Sequence, residues 1–393
     1  MPGFFFAGTA QGIKADARKK DVALIYSSEP ATLVAGVFTL NKICAAPVKI
    51  CRENLQKGRA RLVVVNSGCA NAATGKSGLK DAKEVVSFAA KTFGLSPSEI
   101  FVCSTGRIGM KLPADKVKAG IISGKALLHP EGFRRAGQAI LTTDAYEKNA
   151  FYSGRLGGKK FSIAIMAKGA GMIHPNMATM LCYVTTDLKF ERVALQSILQ
   201  EAVDPTLNSL TVDGDTSTND TVLLLANGLA GNVAIKKGSS DYRSIFKILT
   251  VLLEDIAYKI ALDGEGATKC MRISVRGAKK SSDAKKIAKA IGNSPLVKTA
   301  TFGCDPNWGR ILSAAGNSGV DVVEEKITIR IGGLVLFSKG TIHEKNTNPV
   351  NRYLKANRCV MIDVIVGTGQ GKASVLGSDL TCDYVKLNAD YHT

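Results

Sequence analysis

Two apolar runs near the middle of the chain, Phe161 to Ala167 and Met180 to Val184, are separated by a conformationally demanding loop. Short apolar runs bounded by turn signals read as strands. Two strands joined by a loop of Gly, Pro and Asn are expected to pair or to lie side by side. The loop reads Lys168-Gly169-Ala170-Gly171-Met172-Ile173-His174-Pro175-Asn176-Met177-Ala178-Thr179. Gly169 and Gly171 allow backbone conformations that other residues resist. Pro175 fixes its own φ and restricts His174.

The loop ends on a hydroxyl, Thr179. A threonine hydroxyl is a weak nucleophile unless a base sits beside it. Cleavage of the chain just before Thr179 would supply one, because the freed α-amine has a pKa of roughly 8 and can deprotonate its own side chain. A strained Ala178-Thr179 bond would suit such self-cleavage. The plainer reading is a surface loop with Thr179 as an ordinary strand residue, since β-branched residues favour strands.

Strand-like and helix-like stretches alternate along the chain, which points to the α/β class. Strands are expected at 22–26, 32–38, 62–65, 100–103, 271–275, 296–301, 327–331 and 359–366. Apolar residues at helical spacing run from Leu79 to Phe93, where Gly94 ends the helix. Further helices are expected near 113–123, 130–140, 190–203, 242–261 and 282–291. Stretch 271–301 reads as β-α-β, and the tail from Tyr384 as a strand with a polar end.

Several polar segments interrupt these elements. Ser104-Thr105-Gly106-Arg107 closes a strand, where a hydroxyl or a backbone N–H can meet a developing oxyanion; it also fits a plain turn. Leu141-Thr142-Thr143-Asp144 and the acidic run Val212-Asp213-Gly214-Asp215-Thr216-Ser217-Thr218-Asn219-Asp220 are polar loops. The acidic run fails the calcium-loop pattern, because Ser217 stands where Asp or Asn is required. Asp263-Gly264-Glu265-Gly266-Ala267-Thr268-Lys269 follows a helix rather than a strand and reads as a C-capping loop, not a dinucleotide fingerprint. Gly367-Thr368-Gly369-Gln370-Gly371-Lys372 lacks the first glycine and the final Ser/Thr of a phosphate-binding loop.

Composition narrows the class. Charged residues at 22% and hydrophobic residues at 45% are ordinary for a globular enzyme. No apolar run approaches the roughly 18 residues of a membrane span, and the first residues lack the basic and apolar regions of a secretory signal. The nine cysteines form no CxxC pair, so neither zinc nor a disulfide framework is expected, and free thiols in a reducing cytoplasm are. The four histidines are scattered, so no metal site is expected. A net charge of +19 raises nucleic-acid binding, which would show steep salt dependence. Against it, the lysines are dispersed and aromatics are only 6%, too few for stacking platforms.

The run KGAGMIHPNMATML resembles the self-processing site of the ornithine acetyltransferase (glutamate N-acetyltransferase) family of arginine biosynthesis. STGRIG, LTTD, VDGDTSTND, DGEGATK with DPNWGRI, and YVKLNADYHT resemble further segments of that family in order, so the resemblance covers essentially the whole chain. It implies an α/β fold with two lobes of mixed β-sheets sandwiched between helices. It implies cleavage between Ala178 and Thr179, giving chains 1–178 (the oxyanion-hole lobe) and 179–393 (the nucleophile and substrate lobe), assembled as α2β2.

The same resemblance makes Thr179 the nucleophile and Thr105 with Gly106 the oxyanion hole. Thr142, Lys168, Glu265, Asn388 and Thr393 then bind substrate; Thr143 is not separable from Thr142 on the pattern. The implied reaction is ping-pong transfer of acetyl from N-acetylornithine to glutamate, in the cytoplasm, with no metal and no cofactor. Acetyl-CoA would enter only as a co-substrate, and no nucleic acid or membrane is expected. A self-cleaving amidase or aminopeptidase, with water in place of glutamate, is the alternative.

Overall fold

The protein is described from a computed structural model that covers residues 1–174 and 180–390. Three sheets organise it. The first has four strands in the order Phe4–Thr9, Val22–Ser27, Leu62–Cys69, Ile100–Arg107. Its first three strands pair antiparallel in succession, and the last two strands pair parallel. The second has five strands in the order Leu33–Phe38, Thr221–Ala226, Leu181–Thr186, Lys159–Lys168, Lys148–Leu156. Here Lys159–Lys168 and Leu181–Thr186 pair antiparallel with Lys168 opposite Leu181, as the central loop requires. Thr221–Ala226 runs parallel to Leu181–Thr186 on its other side.

These two sheets pack face to face. Phe4, Phe6, Ile25, Val63, Val65 and Phe101 of the first meet Val34, Met166, Tyr183, Leu223 and Leu225 of the second in one buried cluster. The outer face of the first sheet is covered by helices Gly75–Phe93 and Ala114–Ala126 through Val85, Val86, Val117 and Ile121. The outer face of the second is covered by helices Arg192–Val203 and Ser240–Leu262 through Ile198, Leu249, Leu253 and Ile256. The result is four layers, helix–sheet–sheet–helix. Strands of the inner layers are buried on both faces, which is why they read as continuous apolar runs rather than alternating ones.

The third sheet has seven strands in the order Thr341–Ile342, Leu334–Ser338, Thr328–Ile331, Cys359–Ile365, Cys270–Ala278, Gly371–Ser378, Leu210–Thr211. Helix Ser281–Asn293 and the helices after it cover one face through Ile287, Ile291, Ile311 and Leu354. Cys270 and Leu376 reach back into the cluster of helix Ser240–Leu262. Among the described residues no helix is long and apolar enough to cross a membrane, and no group of His, Cys, Asp and Glu is arranged to hold a metal ion.

Two expected strands are helices. Residues Pro295–Phe302 form a helix because Ser294 caps it, accepting from the Val297 amide, and Pro295 opens the first turn. Val297, Ala300 and Thr301 then bury one face, which outweighs the β-branched composition. The tail is a helix over Cys382–Asp390. The Thr381 hydroxyl accepts from the Tyr384 amide at its start, 3.2 Å, and Tyr384 and Asn388 share a helical face. Trp308 begins helix Trp308–Gly316 after the Asn307 cap and stacks on Phe337 at 4.9 Å, in the core of the third sheet.

Candidate active site

A cavity of about 220 Å³ lies between strand ends of the first two sheets and the polar loops and C-terminal helix beside them. Thr105, Gly106, Thr142, Thr143, Lys168, Glu265 and Asn388 all line it. Segments separated by up to hundreds of residues in sequence therefore share one wall, including every predicted site residue that falls among the described ones. Ala178, Thr179 and Thr393 lie outside the described residues. Met172 and Met180, on either side of 175–179, both border the cavity.

Thr105 and Gly106 stand near the end of strand Ile100–Arg107. Gly106 has φ +126°, and a Cβ there would sit 2.4 Å from the Gly68 carbonyl carbon. Only glycine lets the two strand ends approach this closely. Lys168, the last residue of its strand, is buried and donates to the Thr105 hydroxyl at 3.2 Å. Burial pushes the Lys168 ammonium below its usual pKa, and Asp144 pulls it back.

Asp144 is the hub behind Thr142. It accepts from the Thr142 amide at 3.0 Å and the Gly169 amide at 2.6 Å. It also takes the Lys148 ammonium at 2.7 Å, and Lys148 reaches on to Asp263. Burial opposes the charge on Asp144, but Lys168 and Lys148 hold its pKa down to about 2. Asp263 begins the loop that carries Glu265, and its carboxylate also accepts from the Ala145 amide at 3.1 Å. One buried ion network thus fixes the Thr142 segment, the start of the central loop and the Glu265 loop together.

Glu265 faces Gly171, where a Cβ would lie 2.3 Å from its carboxylate. Asn388 donates to Glu265 at 3.0 Å. Gly266, at φ +65°, lets the C-terminal helix dock, since a Cβ would meet the Tyr384 amide at 2.4 Å. On the far side Asp213 accepts from the Met172 and Ile173 amides at 2.6 and 2.8 Å. This fixes Met172 at φ +54°, a left-handed conformation uncommon for a non-glycine residue. His174 lies within 3.1 Å of the Thr211 hydroxyl, and burial lowers its pKa to about 4.

A family model, the ArgJ family, matches residues 5–393. The chain belongs to the ArgJ family. It is 46% identical over 392 residues to the arginine biosynthesis bifunctional protein ArgJ of Symbiobacterium thermophilum, covering 100% of this chain and 97% of that one. With the Geobacter sulfurreducens protein of the same name it shares 43% over 393 residues, and all of both chains. The solved structure of the Bacillus halodurans ArgJ protein aligns with a TM-score of 0.52 at 42% identity, over 53% of this chain and 98% of that one.

ArgJ membership and the observed sheets agree on the α/β architecture. Sequence reasoning missed Asp144 and Asp220 as site residues, although both stood inside quoted motifs, LTTD and VDGDTSTND. Their signal was a buried acid at the end of a polar run, visible only once burial is known. DPNWGRI, by contrast, contributes no residue to the cavity wall and serves the third sheet.

Proposed function

We propose that this chain transfers acetyl from N-acetyl-L-ornithine to L-glutamate in arginine biosynthesis, in keeping with the relatives named for that pathway. The observation that carries the reading is the convergence of Thr105, Gly106, Thr142, Lys168, Glu265 and Asn388 on one cavity bordered by Met180. In the first half-reaction the Thr179 hydroxyl attacks the acetyl carbonyl carbon, its proton passing to the Thr179 α-amine. Thr105 and the Gly106 amide meet the oxyanion. The C–N bond breaks, ornithine departs with the proton, and acetyl remains on Thr179. The glutamate amine then attacks the ester carbon, N-acetylglutamate leaves, and the hydroxyl regains its proton.

The α-amine exists only after cleavage between Ala178 and Thr179. The Bacillus halodurans chain supports such a cut, since 98% of its length corresponds to only 53% of this chain. Residues 179–393 are likewise a little over half of 393. Lys168 and Glu265 offer opposite charges to an amino-acid substrate, and the resemblance adds Thr393 as a further substrate contact. The reaction uses no cofactor; acetyl-CoA enters, if at all, as a second donor. Paired α and β chains assembled as α2β2 in the cytoplasm complete the reading.

The test is intact mass under denaturing conditions, wild type beside Thr179→Ala, followed by acetyl exchange. Two chains meeting at 178/179 in the wild type and one in the variant, with acetyl moving from N-acetylornithine to glutamate, are expected. An uncut wild type removes the base, and release of acetate in place of transfer makes the protein an amidase.

A further inference from the structure

Asp220 is 2% exposed and lines the cavity. Its Oδ2 is buried and meets no hydrogen-bond partner among the described residues. A buried carboxyl oxygen left unpaired is uncommon and costly. The other cavity acids differ. Asp213 is satisfied by backbone amides, Glu265 accepts from Asn388, and Asp215 is exposed to water.

Asp220 also has a particular place in the sheet. It precedes strand Thr221–Ala226, whose Thr221 amide donates to the Met180 carbonyl at 2.9 Å. Lys168 pairs with Leu181 from the opposite side. Asp220 and Lys168 thus flank the start of strand Leu181–Thr186, the one that follows Thr179. Burial pushes the Asp220 carboxyl well above the usual carboxylate range, with Ser217 and Lys168 pulling the other way. The charged groups facing this corner are Lys168, Asp213, Asp215 and Glu265 in the cavity wall. Arg52 lies behind, donating to the Thr39 carbonyl, whose own amide donates to the Asp220 carbonyl.

Acetyl transfer between two amines has a proton requirement that the α-amine of Thr179 does not meet. That amine carries the hydroxyl proton to the leaving nitrogen. An amino acid leaves into water as an ammonium ion, which takes one proton more. The incoming amino acid arrives as an ammonium ion and must lose one before its nitrogen can attack. The site therefore lends a proton in the first half-reaction and recovers it in the second.

We propose that Asp220 is the residue that lends and recovers this proton, an inference that rests on the transfer reading above. The Asp220 O–H gives its proton to the departing ornithine nitrogen, leaving a carboxylate beside the Lys168 cation. That carboxylate takes a proton from the ammonium group of glutamate, freeing the lone pair that attacks the acetyl ester. Over one cycle no proton is gained or lost. As a donor it works while protonated, so acetylation by N-acetylornithine declines as pH rises past its pKa.

The experiment compares wild type, D220N and D220E, each isolated as cut chains. D220N is expected to slow transfer from N-acetylornithine to glutamate by about 100-fold or more and to lose the alkaline limb of the acetylation profile, which D220E restores. Acetylation by p-nitrophenyl acetate, whose phenolate leaves without a proton, is expected to fall far less. D220N transferring at the wild-type rate, or losing both acetyl donors equally, overturns the inference. Should D220N fail to fold, infrared difference spectra of the wild type decide. Acetylation by N-acetylornithine must then remove one carboxylic-acid C=O band, and an unchanged band refutes Asp220. A wild type that takes up no acetyl from N-acetylornithine sinks the transfer reading itself, and this inference with it.

Discussion

The Lys168 ammonium donates to the Thr105 hydroxyl across 3.2 Å, tying the last residue of a strand in the five-stranded sheet to a strand end of the four-stranded one. On the proposed reading the contact aligns an oxyanion donor, and it carries a cation into a buried corner of the cavity. Such a donor is worth most where water is excluded.

Lys168→Met is therefore expected to reduce kcat for acetyl transfer by about 100-fold or more, with the protein still folded. Lys168→Arg should not restore it, because a planar guanidinium does not replace a compact ammonium in a closed space. Steady-state kinetics check this. Wild-type kcat in Lys168→Met would remove Lys168 and its hydrogen bond from the chemistry.

The ion network behind Thr142 should be structural before it is catalytic. Lys148 is fully buried between Asp144 and Asp263. Lys148→Met leaves two buried carboxylates facing each other and is expected to destabilise the fold by about 3–5 kcal/mol. Adding Asp144→Asn and Asp263→Asn should recover part of the loss. Urea unfolding measures both, and a Lys148→Met protein as stable as wild type contradicts the role given to the network.

Two glycines separate folding from function. In Gly171→Ala the new methyl meets the mobile end of Glu265. The carboxylate can swing away, so stability should fall by less than about 1 kcal/mol. Substrate affinity should still drop, because Glu265 leaves Asn388. In Gly106→Ala the methyl meets the backbone of Gly68 and Cys69 at φ +126°, where neither side can yield, and the variant should fail to fold or to accumulate. Melting temperature and KM, read together, distinguish the two.

Acid stability follows from the direction of two shifts. Asp144 has a folded pKa of about 2, below its ordinary 3.8. Its contribution is complete above about pH 4 and lost as pH falls through 2, worth on the order of 2 kcal/mol. His174 is held neutral, its pKa lowered from 6.5 to about 4 by burial and by Lys289. Its penalty therefore grows as pH drops below 6.5 and is complete below 4. Each of these two groups should therefore take stability away on acidification, His174 below pH 6.5 and Asp144 below about pH 4. NMR of the His174 imidazole should show no titration until near pH 4, and a midpoint near 6.5 would contradict its placement.

How far the sequence speaks differs by element. The central loop showed its own constraint, since its two apolar flanks pair as antiparallel strands. The long helix Ser240–Leu262 was legible from its apolar spacing, and the Ser239 cap that starts it appears only in the structure. Residues 296–301 misled because a run of Val and Thr outweighed the Ser294-Pro295 start. The tail misled because Tyr384 and Asn388 are polar on the face that meets the cavity, so no apolar stripe marked the helix. Thr105 and Lys168 were singled out through resemblance; that they touch depends on two sheets packing face to face. Asp220 could not be found at all from sequence, since what marks it is a missing partner, a property of the packed molecule.

The five-stranded sheet mixes its origins. Strands Leu33–Phe38, Lys148–Leu156 and Lys159–Lys168 precede the Ala178–Thr179 bond, while Leu181–Thr186 and Thr221–Ala226 follow it. The two strands that follow the bond lie side by side, flanked by Leu33–Phe38 on one side and Lys159–Lys168 on the other, both from before it. A break at that bond would therefore free two new ends without freeing two bodies. The pieces would stay woven through each other by backbone hydrogen bonds, and only global unfolding could part them. Once parted, they would have lost the tether that first drew those strands into register. Maturation by such a cut is a one-way passage: the uncut chain can find its fold alone, but its separated halves would have to find each other first.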